Sequence, residues 1–192
     1  MPETTADAPN TEKKEGATKT PRPRRSAKSR AVEKVARSFF DAVGARDVDR
    51  ILEFWVDDGV EDVVPVGVFR GKKEIAGFVR SFLESSSDLE ITVNRVVTDD
   101  SRAVVEWRFR GTFDGQPFQG LEPNGKTIDL RGTDILEIED DKVKRLTAYY
   151  DTTSFARQVG MMPAQDSGAE RAMKNAFNAV TKVRKAIDER RG

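Results

Sequence analysis

The chain contains no histidine and no cysteine. Without cysteine there can be no disulfide, no thiolate metal site and no thiol nucleophile. Without histidine the usual general base at neutral pH is gone. With it go the Ser-His-Asp triad and most zinc sites. Any acid–base chemistry must run on Asp, Glu, Tyr, Lys or water. No apolar run approaches the length of a membrane span. The first residues lack the apolar stretch of a secretory signal. The expectation is a cytoplasmic protein with no membrane span.

Charge is present in equal measure, with 33 basic and 33 acidic side chains, but it is unevenly placed. Residues 1–30 carry eight Lys or Arg and four Asp or Glu, and residues 168–192 carry seven and three. The intervening 31–167 carries 18 basic and 26 acidic residues, so an acidic body lies between two basic ends. Residues 1–30 hold no apolar side chain larger than Met1 and include Pro21-Arg-Pro-Arg-Arg25. Such a segment cannot bury enough area to offset its ordering entropy, so it is predicted to be disordered. Its charge suits a weak anionic partner. No aromatic residues are interleaved with the basic ones, so a dedicated nucleic-acid module is not indicated.

Periodicity divides the rest. Val32, Val35, Ala36, Phe39, Phe40 and Val43 follow helical spacing and end at Gly44. Asp47 reads as the N-cap of a second helix that buries Val48, Ile51, Leu52 and Trp55. A short extended piece spans 60–66. A third helix follows Arg70-Gly71, with Ile75, Phe78, Val79, Phe82 and Leu83 on one side. Strands are predicted at 89–97, 103–110, 127–138 and 143–151, with turns at Asp99-Asp100 and Asp140-Asp141. The long loop 111–125 carries Asp114-Gly115 and Asn124-Gly125. Helices first and an antiparallel meander after them read as α+β, with the helices covering one face of a curved sheet. Such a sheet leaves a blind apolar pocket on its concave side.

One strand stands out. In Thr127-Ile-Asp-Leu-Arg-Gly-Thr-Asp134-Ile-Leu-Glu-Ile138, alternation puts Ile128, Leu130, Gly132, Asp134, Leu136 and Ile138 on one face. That face is apolar except for a single carboxyl. A carboxylate there must find partners, shift its pKa upward or face a cavity. Two readings stay open: a functional acid, or a structural Asp held by backbone at a bulge near Gly132. In the strand before it, Val105, Trp107 and Phe109 share one face, while Glu106, Arg108 and Arg110 share the other. Together with Arg131 these charges are expected to pair across strands.

Residues 168–191 form a separate amphipathic helix. Ala169, Met173, Ala176, Val180, Val183 and Ile187 recur at intervals of four and three, a heptad seam suited to docking or dimerisation. Residues 161–167 would link it to the main domain.

This order of elements resembles the nuclear transport factor 2-like superfamily, over about residues 31–160. The marks are Gly-Ala-Arg-Asp47-Val-Asp49, Trp55-Val-Asp-Asp58, Phe69-Arg-Gly71-Lys-Lys-Glu-Ile75 and the segment from Arg131 to Val143. The loop Gly-Leu-Glu-Pro-Asn-Gly-Lys126 is similar to the SnoaL-like polyketide cyclase branch. The resemblance implies a cone-shaped curved antiparallel sheet wrapped by three N-terminal helices, plus the separate C-terminal helix. It also implies a homodimer through the outer sheet face.

By the same resemblance, ketosteroid isomerases place a base at Val60-Glu-Asp62 and a protonated acid at Asp134. Their helix-one tyrosine falls on Phe39, which has no hydroxyl. Tyr149 or Tyr150 is a substitute, and parity turns one of them inward. The limonene-type epoxide hydrolase pattern fails: its carboxylates would fall on Arg110 and near Ala148. For a cyclase, Asp134 is the candidate acid/base.

The reading is thus a cofactor-free isomerase or cyclase moving a proton beside a carbonyl, on an apolar polyketide- or steroid-like molecule. Asp62 and Asp134 would be catalytic, and Phe39, Trp55, Phe78, Trp107, Phe109 and Tyr150 would line the pocket. The alternative is a non-catalytic ligand-binding or interaction domain with basic extensions.

Overall fold

A computed structural model describes residues 25–64 and 66–190. Of the segment 1–30 expected to be disordered, 1–24 lie outside the described residues, as do Pro65 and 191–192, while Ala27 to Arg30 are helical. The first helix, α1 (Ala27–Gly44), begins four residues before the boundary expected at 31. Its N-cap is Ser26, whose hydroxyl accepts from Ser29 N at 2.9 Å. Capping by a Ser side chain satisfies one of the free amides of the first turn. Helix α2 (Val48–Glu53) is capped by Asp47, which accepts from Arg50 N at 3.0 Å.

Trp55, expected on that helix, instead opens strand β1 (Trp55–Val64). It pairs with Val143, and its ring is buried over Gly59. A Cβ at Gly59 would stand 2.6 Å from the Trp55 ring, so only glycine lets the strand pass so close. The helical spacing of Trp55 from Ile51 thus gave way to a strand pairing that buries the indole.

Strand β2 (Gly67–Arg70) leads into α3 (Gly71–Glu84), and then come β3 (Glu90–Thr98), β4 (Arg102–Phe113), β5 (Lys126–Glu139) and β6 (Lys142–Tyr150). The sheet order is β2-β1-β6-β5-β4-β3. Every neighbouring pair is antiparallel except β1 and β6, which run parallel, so the sheet is mixed. That pairing brings the first strand beside the last, next to the centre of the sheet. Asp140 and Asp141 both have positive φ, 49° and 61°, which is the backbone a tight two-residue hairpin needs.

Helices α1 and α3 pack on the sheet, α1 against β3 and β4, α3 against β1 and β2. Apolar side chains of both layers fill the space between them. The other face of the sheet carries the expected charge pairs. Arg131 donates to Glu106 at 2.7 Å, and Arg108 donates to Asp129 at 2.7 Å. The Arg108 guanidinium holds the Asp129 carboxyl below the usual carboxylate range.

A short helix the sequence reading lacked, α4 (Thr152–Gln158), follows β6 and packs on β5. Asp151 caps it, accepting from Ser154 N at 2.9 Å. Helix α5 (Gly168–Glu189) matches the predicted terminal helix. Its anchor is Glu170, buried and bonded by Arg157 at 2.6 Å and by Asp166 N at 2.8 Å. Beyond that the seam is open, with Met173, Phe177, Val180, Val183 and Ile187 exposed. Deleting residues 168–192 is therefore expected to shift the thermal midpoint by less than ~4 °C, the effect of about 1 kcal/mol at this size. Scanning calorimetry of the shortened chain checks this, and a collapse of cooperative unfolding would contradict it. Among the described residues no helix is long and apolar enough to cross a membrane.

Candidate active site

Asp134 lies midway along β5, flanked by Val105 of β4 and Ala148 of β6. The register of β4 on β5 runs unbroken from Arg102 opposite Glu137 to Phe113 opposite Lys126, so there is no bulge at Gly132. Gly132 has another task. It lies directly opposite Trp107, and a Cβ there would be 2.2 Å from the Trp107 ring. With no side chain at 132, the indole lies across β5 and its Nε1 donates to Asp134 Oδ1 at 2.8 Å. Burial pushes the Asp134 carboxyl up to about 7, against the opposing pull of the indole N–H.

A second buried acid faces the same interior, and it is Glu61 rather than Asp62. Along β1 the inward positions are Trp55, Gly59, Glu61 and Val63. Asp62 points the other way, half-buried on the outer face, where Arg145 donates to it at 2.8 Å. The expectation that Asp62 faces the pocket is therefore corrected: past the irregular register between Trp55 and Val60, alternation over Gly59, Glu61 and Val63 turns Glu61 inward. Glu61 lies opposite Leu146, and Asp134 lies opposite Ala148 of the same strand. The two acids thus flank β6, two strand spacings across and two residues along, roughly 12 Å apart at the backbone. Among the described residues Glu61 Oε2 is buried with no hydrogen-bond partner. Burial, reinforced by the Asp134 charge, pushes the Glu61 carboxyl up to about 8.

Between them is a cavity of about 130 Å³. Phe39, Phe78, Trp107, Phe109 and Tyr150 line it, while Trp55 does not. The Trp55 indole sits behind Phe39, edge-on at 6.2 Å between ring centroids, in the core beneath the pocket floor. Tyr150 is the tyrosine that turns inward, and Tyr149 is exposed. The Tyr150 hydroxyl accepts from Gln119 Nε2 at 3.1 Å.

Two contributors were missed from sequence. Glu61 shares a face with Gly59 and Val63, and the irregular register between Trp55 and Val60 hides that phase in the sequence. Gln119 sits in the long loop at positive φ, where no periodic signal exists. Among the described residues no group of three or more acidic side chains converges as metal ligands would.

Two acids in one apolar pocket titrate as a pair. The indole N–H favours the Asp134 carboxylate, so Asp134 ionises first. Its charge then helps keep the proton on Glu61. Near neutral pH the pair can thus offer one base and one acid, the requirement for moving a proton within a bound molecule.

The sequence matches the SnoaL-like domain family over residues 36–146. The chain belongs to that family. It therefore falls within the nuclear transport factor 2-like superfamily, as its solved neighbours also indicate. No curated protein sequence matches it.

Among solved structures, it is similar to a protein from Jannaschia sp. CCS1 described as a SnoaL-like polyketide cyclase. They share 22% identity and a TM-score of 0.67 over 73% of this chain and 99% of that one. AclR of Streptomyces galilaeus, described as a hydroxylase, has 15% identity and a TM-score of 0.64 over 81% and 98%. A protein from Kribbella flavida described as a ketosteroid isomerase has 19% identity and a TM-score of 0.51 over 64% and 79%. Three different descriptions sit on one fold, so the fold by itself does not name the chemistry of this pocket.

Proposed function

We propose that this SnoaL-like domain is a cofactor-free isomerase or cyclase that moves a proton beside the carbonyl of a small apolar molecule. The observation that carries the reading is the pair of buried acids, Glu61 and Asp134, facing one apolar cavity. Asp134, ionised first, removes a proton from the carbon next to the carbonyl. The C–H electron pair forms the new C=C bond, and the carbonyl π electrons move to oxygen. Glu61, still protonated, donates to that oxygen. Returning the Asp134 proton to a different carbon completes an isomerisation; in a ring closure the enolate carbon attacks a second carbonyl, whose oxygen takes the Asp134 proton as the first carbonyl re-forms and returns its proton to Glu61. Phe39 offers no hydroxyl to the oxygen, so Glu61 carries this role in its place.

The cavity suits ring-sized ligands, being close to the ~150 Å³ of a cavity that holds benzene. Cyclohex-3-enone is therefore the first substrate to try, followed by conjugated-enone absorbance. Wild type is expected to convert it. Asp134→Asn should lower kcat by about 10²–10⁴-fold, the usual contribution of a positioned acid or base. Asp62→Asn should leave kcat unchanged. Loss of turnover in Asp62→Asn with Asp134→Asn unaffected would overturn the assignment.

A second reading, a non-catalytic binding module, draws on α5, whose apolar seam is exposed over most of its length. Absence of turnover across β,γ-unsaturated ketones of graded size would favour it.

A further inference from the structure

Most of the hydrogen-bonding groups around the cavity are committed to one another. Trp107 Nε1–H is committed to Asp134, and the Ser85 hydroxyl donates to Phe82 O at 2.7 Å. Gln119 Nε2 donates to Tyr150. Against these, Glu61 Oε2 is buried with no hydrogen-bond partner among the described residues. Among the described residues no Lys or Arg lines the cavity, so its negative charge has no counter-charge in the protein. The walls are aromatic: Phe78, Phe82 and Phe118 form one tilted cluster, and Phe109 packs on Phe82. Ring faces attract cations, and more strongly when water is excluded.

We propose that this cavity binds small apolar organic cations, protonated amines above all, with the ammonium N–H groups directed at Glu61 and the hydrocarbon part held by the phenylalanine rings. A cation supplies both missing elements at once, a donor for the unpartnered carboxyl oxygen and a counter-charge for the acid pair. An anion of the same size meets like charge with nothing to offset it, so carboxylate-bearing ligands are excluded. This goes beyond the proton-transfer reading, since it concerns binding and needs no turnover.

Three probes of one shape test it: benzylamine, benzyl alcohol and benzoate, titrated calorimetrically into the full chain at pH 8. Benzylamine is expected to bind at least about tenfold more tightly than benzyl alcohol, and benzoate not at all. In Glu61→Gln, with its fold checked by circular dichroism, the amine preference should shrink to within about threefold. Should that variant not fold, Asp134→Asn provides the same readout. Benzyl alcohol matching benzylamine in the wild type overturns the proposal, as does no amine binding at millimolar concentration. So does a preference that survives in the carboxyl variants. Because binding and enone formation are measured separately, an amine preference without turnover sinks only the catalytic reading, and turnover without the preference sinks only this one.

Discussion

Glu61→Gln is expected to stabilise the protein, and to stabilise it more at pH 8 than at pH 5. The folded state holds the Glu61 proton up to about pH 8, whereas the unfolded chain releases it near 4.5. Between those values the folded state binds more protons than the unfolded one, so the contribution of Glu61 to stability falls as pH rises. It is fully present below the unfolded value and is lost on passing through the folded one. At roughly 1.4 kcal/mol per unit, the loss by pH 8 is on the order of 3–5 kcal/mol.

Glutamine keeps the shape but does not titrate, so any cost of burying its amide is a pH-independent offset. Urea unfolding of both proteins at pH 5, 6.5 and 8 reads the difference directly. The gap between variant and wild type should widen with pH. Curves that stay parallel would mean that Glu61 is not held protonated in the fold. The same experiment on Asp134→Asn should show a smaller window, from 3.8 to about 7. A site residue whose removal stabilises the fold is what a stored, unfavourable burial predicts.

Gly132→Ala should be the most damaging single-methyl change in the sheet. The added carbon would stand 2.2 Å from one Trp107 ring atom, 2.5 Å from another and 2.7 Å from the Tyr149 carbonyl oxygen. The carbonyl belongs to the neighbouring strand and cannot retreat without breaking the β5–β6 pairing. The indole must therefore leave, and with it the hydrogen bond to Asp134. Overpacking of this kind costs about 1–3 kcal/mol, and the orphaned acid adds to it. A fall in thermal midpoint of about 5–10 °C is expected at this chain length. Freed of its donor, Asp134 should titrate higher still, moving the acidic limb of any pH–rate profile upward. Tryptophan fluorescence would report the displaced ring. An unchanged midpoint and emission spectrum would show that Trp107 does not lie across Gly132.

The strand bearing Asp134 was readable because its alternation is strict, and a lone acid among Ile and Leu is conspicuous. The same alternation placed Trp107 and Phe109 inward and Glu106, Arg108 and Arg131 outward. Gly132 was noticed for the wrong reason, since a glycine inside a strand signals a bulge as readily as a close approach. Only the register, which puts it opposite Trp107, separates the two. In β1, resemblance led to Asp62, and only the structure turned Glu61 inward. The two acids are adjacent in sequence, and a one-residue error in phase reverses which faces inward. Helix α4 escaped because it is seven residues long, too short for a 3.6-residue period to declare itself.

By itself, then, the sequence determined the α+β class, the lack of histidine and thiol chemistry, the inward Asp134 and the terminal amphipathic helix. These depend on composition and on patterns local to one element. The tertiary structure alone decided that β1 lies parallel to β6, and so that Glu61 and Asp134 share a cavity. They are 73 residues apart in the chain, and no local pattern carries the pairing of strands so distant. Their shared pocket, the unpartnered oxygen of Glu61 and the raised pKa values of both acids arise only when the sheet assembles and removes water from between them.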